Sequence, residues 1–275
     1  MPHCKSTMNT VAYQKTFENF DGRERALRKV TRYYIYKPMY YRSDLLAHSR
    51  HVNWLVEEMI PIAENSFGPV FNPKKTSLMA CVHDDFEIVL GDIQAGHKYS
   101  MSREQLDDVA KRELIAIAET VKRFPETVGV FNYRDLLHEV QEGNTIESQV
   151  VKYADKMDAF GEALHEIYAG NASFITPIED PVYGTVISPS EYYALYLSSR
   201  EKNFPRIVKM FESRHPLFEK PSFTDFQKIV KRCFPHTQES FNRPTGNVHY
   251  DEWKRIMTVN ADENELKRLV TQVEF

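Results

Sequence analysis

His83, Asp84, Asp85 and Glu87 stand together in SLMACVHDDFEIVLGD, a segment whose other side chains are mostly apolar. A carboxylate on a buried element is costly unless it is paired or bound to a cation. Imidazole beside carboxylate offers two chemistries: proton transfer, and ligation of a divalent ion that activates water. The segment reads as one buried helix over 75–90. On such a helix His83 and Glu87 share a face, and Asp92 follows shortly after. Taken alone, the segment also fits a helix that surfaces here and turns its polar side to water.

A metal centre needs ligands from further elements. Val52, Leu55, Val56, Met59, Ile60 and Ala63 recur at spacings of three and four, an amphipathic helix. At about 100° per residue, His48 lies roughly 50° from the centre of that apolar stripe and His51 about 110° away. His48 therefore points inward and needs a partner, whereas His51 reaches water. An inward histidine is ordinarily a satisfied core residue. Paired with an inward His-Asp on another helix, it favours a metal. VVKYADKMDAFGEALHEIY offers a fourth ligand, and here periodicity leaves Asp155 and Asp158 both open, with Asp158 nearer the stripe. Asp158, Glu162 and Glu166 also fit a solvated acidic face.

The elements around these residues are helical. Ser102 with Gln105, and Ser188-Pro189 with Glu191, are helix starts, as is Asn144 with Glu147. Helices are expected over 103–124, 131–141 and from about 147 to Gly170-Asn171, then from Pro189 to Ser213. Residues 176–188 read as a proline-bearing loop. No Asn-Gly or Asp-Gly flanked by alternating apolar residues, the hairpin signal, occurs, so the expected fold is all-α. Residues 1–30 read as an N-terminal arm and 219–275 as a helical extension, with candidate caps at Ser222 and Asn260.

The chain has 275 residues, long enough for a core without staples. Its 17 Phe, 15 Tyr and 2 Trp exclude wholesale disorder. A net charge of −4 argues against bulk binding to nucleic acid or an acidic membrane. No apolar run approaches a membrane span, and the opening MPHCKSTMNT lacks the apolar core of a secretory signal. The 3 cysteines, Cys4, Cys81 and Cys233, form no CxxC pair and read as reduced thiols of a cytoplasmic protein. Cys81 reads as a buried structural thiol. His97, His215, His236 and His249 read as loop or surface residues, and Trp253 as packing.

The order H…HD…D resembles the HD-domain metal-dependent phosphohydrolases, and within them the bacterial HD-domain 5′-deoxynucleotidases. HDDFEIVLGDIQAGHKY at 83–99, AHS at 47–49, VVKYADKMDAF at 150–160 and TRY at 31–33 carry the likeness, over residues 31–218. The resemblance implies an HD-type helical bundle. It implies His48, His83, Asp84 and Asp155 as ligands of one divalent transition metal (Mn²⁺, Co²⁺, Fe²⁺ or Zn²⁺), and so favours Asp155 over Asp158. It implies Glu87 as the residue that positions or deprotonates water and Asp92 as a second acid near the sugar. Arg32 is then the phosphate clamp, with Tyr33 and Lys98 also at the substrate. Tyr33 stands where the family has tryptophan, and Gln94 where it has proline. The implied activity is hydrolysis of (deoxy)nucleoside 5′-monophosphates to nucleoside and phosphate, with a homodimer plausible for the scaffold. A dNTP triphosphohydrolase on the same scaffold, drawing on Lys37 and Arg42 for extra cations, is the alternative. A non-catalytic, metal-stabilised HD binding module is a third reading.

Overall fold

The computed structural model describes residues 10–36, 44–168 and 171–218. Cys4, Lys37, Arg42, Cys233, His236, His249, Trp253, the caps at Ser222 and Asn260, and the extension 219–275 lie outside the described residues. Among the described residues the protein is a helical bundle with two small hairpins. None of their helices is long and apolar enough to cross a membrane.

The chain enters through two short helices, α1 (Thr10–Thr16) and α2 (Arg23–Leu27). Phe20, Arg23 and Leu27 are already buried. Helix α3 (Leu45–Phe67) is capped by Asp44, which accepts from Ala47 N at 2.9 Å. Its stripe of Val52, Leu55, Val56, Met59 and Ala63 is fully buried, as the periodicity requires. Helix α4 (Pro73–Val82) is capped by Asn72 and buried from Thr76 onward. Helix α5 (Glu87–Leu90) is a single turn, and α6 (Ala95–Ser100) follows it.

The continuous helix expected over 75–90 is therefore interrupted at His83–Phe86, and the interruption has a visible cause. Asp85 N donates to Val82 O at 2.9 Å, one residue tighter than α-helical bonding allows. The Cys81 carbonyl, freed from that bond, accepts instead from Arg23 Nη2 at 2.5 Å. A side chain from α2 has replaced a helical hydrogen bond, so His83 and Glu87 stand on a turn and on the next helix, not on one helical face.

Helix α7 (Arg103–Thr120) begins with the Ser102/Gln105 capping box, its two bonds at 3.2 and 2.8 Å. Strands β1 (Thr127–Val128) and β2 (Phe131–Asn132) pair antiparallel, turning at Gly129 with φ +60°. Helix α8 (Tyr133–Glu142) stops at Gly143 in the left-handed conformation. Helix α9 (Ile146–Tyr168) starts from a reciprocal Thr145–Ser148 pair in place of the expected Asn144 cap. Glu147 instead accepts from Asn72 N at 2.8 Å, tying α9 to the start of α4.

Residues 176–188 are not simply loop. Strands β3 (Ile178–Asp180) and β4 (Gly184–Val186) form a hairpin whose turn is closed by Asp180 accepting from Val182 N and Tyr183 N. Strands of two or three residues show no alternation to read. Helix α10 (Pro189–Ser198) starts at Ser188 as expected, and the chain then breaks into α11 (Arg200–Asn203) and short 3₁₀ turns. Helices α3, α4 and α9 pack against one another in the centre, with α8 and α10 flanking α9.

Candidate functional site

Three elements of this centre deliver the histidine and aspartate side chains to one point. His48 comes from α3, His83 and Asp84 from the turn after α4, and Asp155 from α9. His48 Nε2 lies 3.3 Å from His83 Nε2, 3.3 Å from Asp84 Oδ2 and 3.2 Å from Asp155 Oδ1. His83 Nε2 is 3.2 Å from Asp84 Oδ2. Each imidazole is anchored from behind. His83 Nδ1 donates to Ala80 O at 2.8 Å, and His48 Nδ1 meets Asp158 Oδ2 at 2.7 Å. Nδ1–H bonding of this kind leaves the Nε2 lone pairs facing the cluster, the arrangement that outer partners impose on metal-ligating histidines. Burial and Arg32 work against a proton on His48, but hydrogen bonds with Asp155, Asp158 and Asp84 hold its pKa well above the ordinary histidine value. Burial likewise opposes charge on Asp84, yet His83 and His48 hold it well below the usual carboxylate range.

Arg32, Glu87, Asp92 and Lys98 share with His83, Asp84 and Asp155 a cavity of about 230 Å³. Arg32 is buried, its Nε 3.4 Å from Glu162 and its Nη1 3.9 Å from Asp158. That Nη1 has no hydrogen-bond partner among the described residues. Glu87 Oε2 is also buried without one. Burial, with Asp84 and Asp92 nearby, pushes the Glu87 carboxyl well above its usual range. Asp92 is raised by burial too, partly offset by Arg32.

Tyr33 contributes differently from the other substrate candidates. Its ring is buried against Phe174 and its hydroxyl donates to Ala159 O at 3.1 Å. Its backbone adopts φ +52°, uncommon for a bulky residue, and its N–H donates to Asp92 Oδ2 at 3.3 Å. The ring belongs to the core, and the main chain touches the acid. Lys98 is held by Glu113, with Nζ to Oε1 2.6 Å.

Several residues enter that the sequence did not single out. Lys152 and Lys156 line the same cavity. Lys156 donates to Asp155 Oδ2 at 2.6 Å, and Lys152 to Gln141 O at 2.8 Å. Burial, with Lys156 close by, lowers the Lys152 pKa to about 8. Their helical spacing around Asp155 was the available signal. Asp158, Glu162 and Glu166 are buried, not a solvated face, because Arg32 and the two α3 histidines turn toward Asp158 and Glu162. His51 Nδ1 stands 3.4 Å from Asp158 Oδ1. His97, expected as an exposed loop residue, is buried beneath the β3–β4 hairpin, 3.6 Å from Asp180 and edge-on to Tyr183. Cys81 is buried as expected, and burial pushes its thiol up to about 12.

A helical bundle whose central helices converge two histidines and two aspartates in the order H…HD…D defines the HD-domain class. The chain belongs to the 5′-deoxynucleotidase YfbR-like family, whose model matches residues 24–181. It is similar to 5′-deoxynucleotidase VP0926 of Vibrio parahaemolyticus, 28% identical over 132 residues, which cover 46% of this chain and 64% of that protein. It is also similar to a 5′-deoxynucleotidase of Erwinia tasmaniensis, 31% identical over 129 residues, 47% of this chain and 64% of that one. The chain thus spans 64% of the length of these two curated relatives. The PH0347 protein of Pyrococcus horikoshii shares the fold, with a TM-score of 0.50 and 17% identity over 76% of this chain and 95% of its own.

Proposed function

We propose that the protein is a metal-dependent 5′-nucleotidase that hydrolyses (deoxy)nucleoside 5′-monophosphates to nucleoside and phosphate. The observation that carries this reading is the convergence of His48, His83, Asp84 and Asp155 beside an arginine nitrogen and a glutamate oxygen that are both buried without partners. The relatives' names, 5′-deoxynucleotidase, support it.

Two imidazole nitrogens with outward-bonded Nδ1 atoms and two carboxylates suit a first-row divalent ion such as Mn²⁺, Co²⁺, Fe²⁺ or Zn²⁺. His48, His83, Asp84 and Asp155 would hold it. When bound, such an ion supplies charge neutralisation at a phosphoryl oxygen and acidifies water. The chain's own residues do the rest. Arg32, buried on the cavity wall, offers Nη1 to a phosphate oxygen. Glu87, on the cavity wall and unpartnered at Oε2, accepts a proton from the attacking water. Asp92, held by the Tyr33 N–H, faces the sugar side and assists proton transfer to the departing hydroxyl.

The test is product analysis with purified protein and Mn²⁺ or Co²⁺, offering dAMP, AMP, dATP and ATP. Nucleoside plus orthophosphate from the monophosphates is the expected result. All four nucleotides left intact alongside bound metal would overturn it in favour of a binding module. One observation favours a second reading, the triphosphohydrolase: Lys152 and Lys156 join Arg32 and Lys98 on the cavity wall, the cations a longer phosphate chain requires. Activity on dATP alone would promote that reading.

A further inference from the structure

A second cavity, of about 570 Å³, adjoins the first and shares Glu87, Asp92 and Ile93 with it. Tyr34 and Tyr183 stand on its wall, and Tyr34 is 54% exposed despite its large ring. Gln94 lines the same cavity. It is 6% exposed, yet neither Nε2 nor Oε1 has a hydrogen-bond partner among the described residues. Nor does its side chain cap α6, whose first turn is closed by the Gln94 backbone carbonyl accepting from His97 N at 3.0 Å. A buried amide left unpaired is unfavourable, so this one has no evident role in the fold.

We infer that this second cavity takes the nucleobase and that the Gln94 amide pairs with the edge of the base. The inference rests on the nucleotidase reading and extends it to what lies beyond the sugar. Every base carries a donor beside an acceptor, the pattern a glutamine amide matches with two bonds. Every base also has a π face that stacks on tyrosine. Asp92 stands at the junction of the two cavities, where the sugar must lie if phosphate occupies one and base the other.

The test compares a ligand that carries the base with one that has a hydroxyl at C1 in its place: dAMP and 2-deoxyribose 5-phosphate. Both are titrated calorimetrically into the full chain loaded with Mn²⁺ and carrying Glu87→Gln to suppress turnover, with and without Gln94→Met. The expected result is a roughly tenfold weaker Kd for dAMP in the Gln94→Met protein and an unchanged Kd for the sugar phosphate. The melting temperature should not fall, because an unpaired buried amide is removed. Equal loss for both ligands, no loss for either, or no advantage of dAMP over the sugar phosphate before Gln94 is changed would overturn the inference. Turnover of dAMP by the protein with Glu87 intact reports separately on the nucleotidase reading: hydrolysis without a Gln94 effect sinks only the base pocket.

Discussion

Arg23 and Asp85, 62 positions apart, are joined by two buried contacts of 2.6 Å, Nε to Oδ2 and Nη2 to Oδ1. Tyr133 OH donates to the same carboxylate at 2.7 Å, and Phe17 lies against the guanidinium. Asp85 immediately follows Asp84, so this pair fixes the turn that presents the His-Asp dipeptide. Arg23 thereby closes one side of the turn that carries His83 and Asp84 from outside the matched family region, which begins at residue 24.

Removing one partner of such a pair leaves the other charge buried. Arg23→Met should destabilise the fold by about 3–5 kcal/mol, measured by urea unfolding. The double variant Arg23→Met/Asp85→Leu should recover part of that loss, since no charge is left stranded. A loss below about 1 kcal/mol in the single variant would show that the pair does not hold the turn.

Asp155 and Asp158 stand one helical turn apart and do different work. Asp155 faces the cluster with Oδ1, whereas Asp158 holds His48 from behind. Asp155→Asn should abolish stoichiometric metal. Asp158→Asn should retain it but bind about 10- to 100-fold more weakly, as outer-partner losses do. Metal content after dialysis, followed by competition with a chelator, separates the two. The reverse ranking would place the ligand a turn away.

How much of this was legible in sequence depends on range. Caps at Ser102 and Ser188 and the apolar stripe of α3 are local facts, and they stand as expected. The inward angle of His48 followed from that stripe. The helix break at His83 did not, because its cause is Arg23, 62 positions from Asp85. The burial of Asp158 and Glu162 was equally hidden. Three carboxylates at helical spacing look solvated until Arg32, His48 and His51 are seen converging on Asp158 and Glu162. The burial of His97 is hidden for the same reason: the hairpin that covers it lies more than eighty residues further on.

Glu87→Gln keeps the volume of the side chain and removes its capacity to take a proton. Turnover of nucleoside monophosphates should fall by about 10²- to 10⁴-fold while bound metal is unchanged. Steady-state assays with metal analysis check both halves. Full activity in the variant would remove Glu87 as the base.

Arg32→Lys keeps a positive charge but loses the planar fork that reaches Glu162 and leaves Nη1 open. Its KM for a monophosphate should rise and its kcat should fall, with inorganic phosphate binding weakened in parallel. Kinetics equal to wild type would take Arg32 out of the phosphate pocket.

Lys152 gives a pH signature that needs no substrate. Burial lowers its folded-state pKa to about 8, against 10.5 for the free side chain. Below about 8 the lysine is charged in both states, and the folded state carries the whole cost of burying that charge. Between about 8 and 10.5 the unfolded chain binds more proton than the folded one, so this residue's contribution to stability rises with pH. Lys152→Met removes the titration together with the bond to Gln141 O. The absolute difference from wild type therefore mixes two effects, but its slope with pH reports only the first. Urea unfolding from pH 7 to pH 10 should show wild type gaining on Lys152→Met as pH rises. A flat difference across that window would mean that Lys152 titrates as an ordinary surface lysine and that its neighbours in the cavity already compensate its charge.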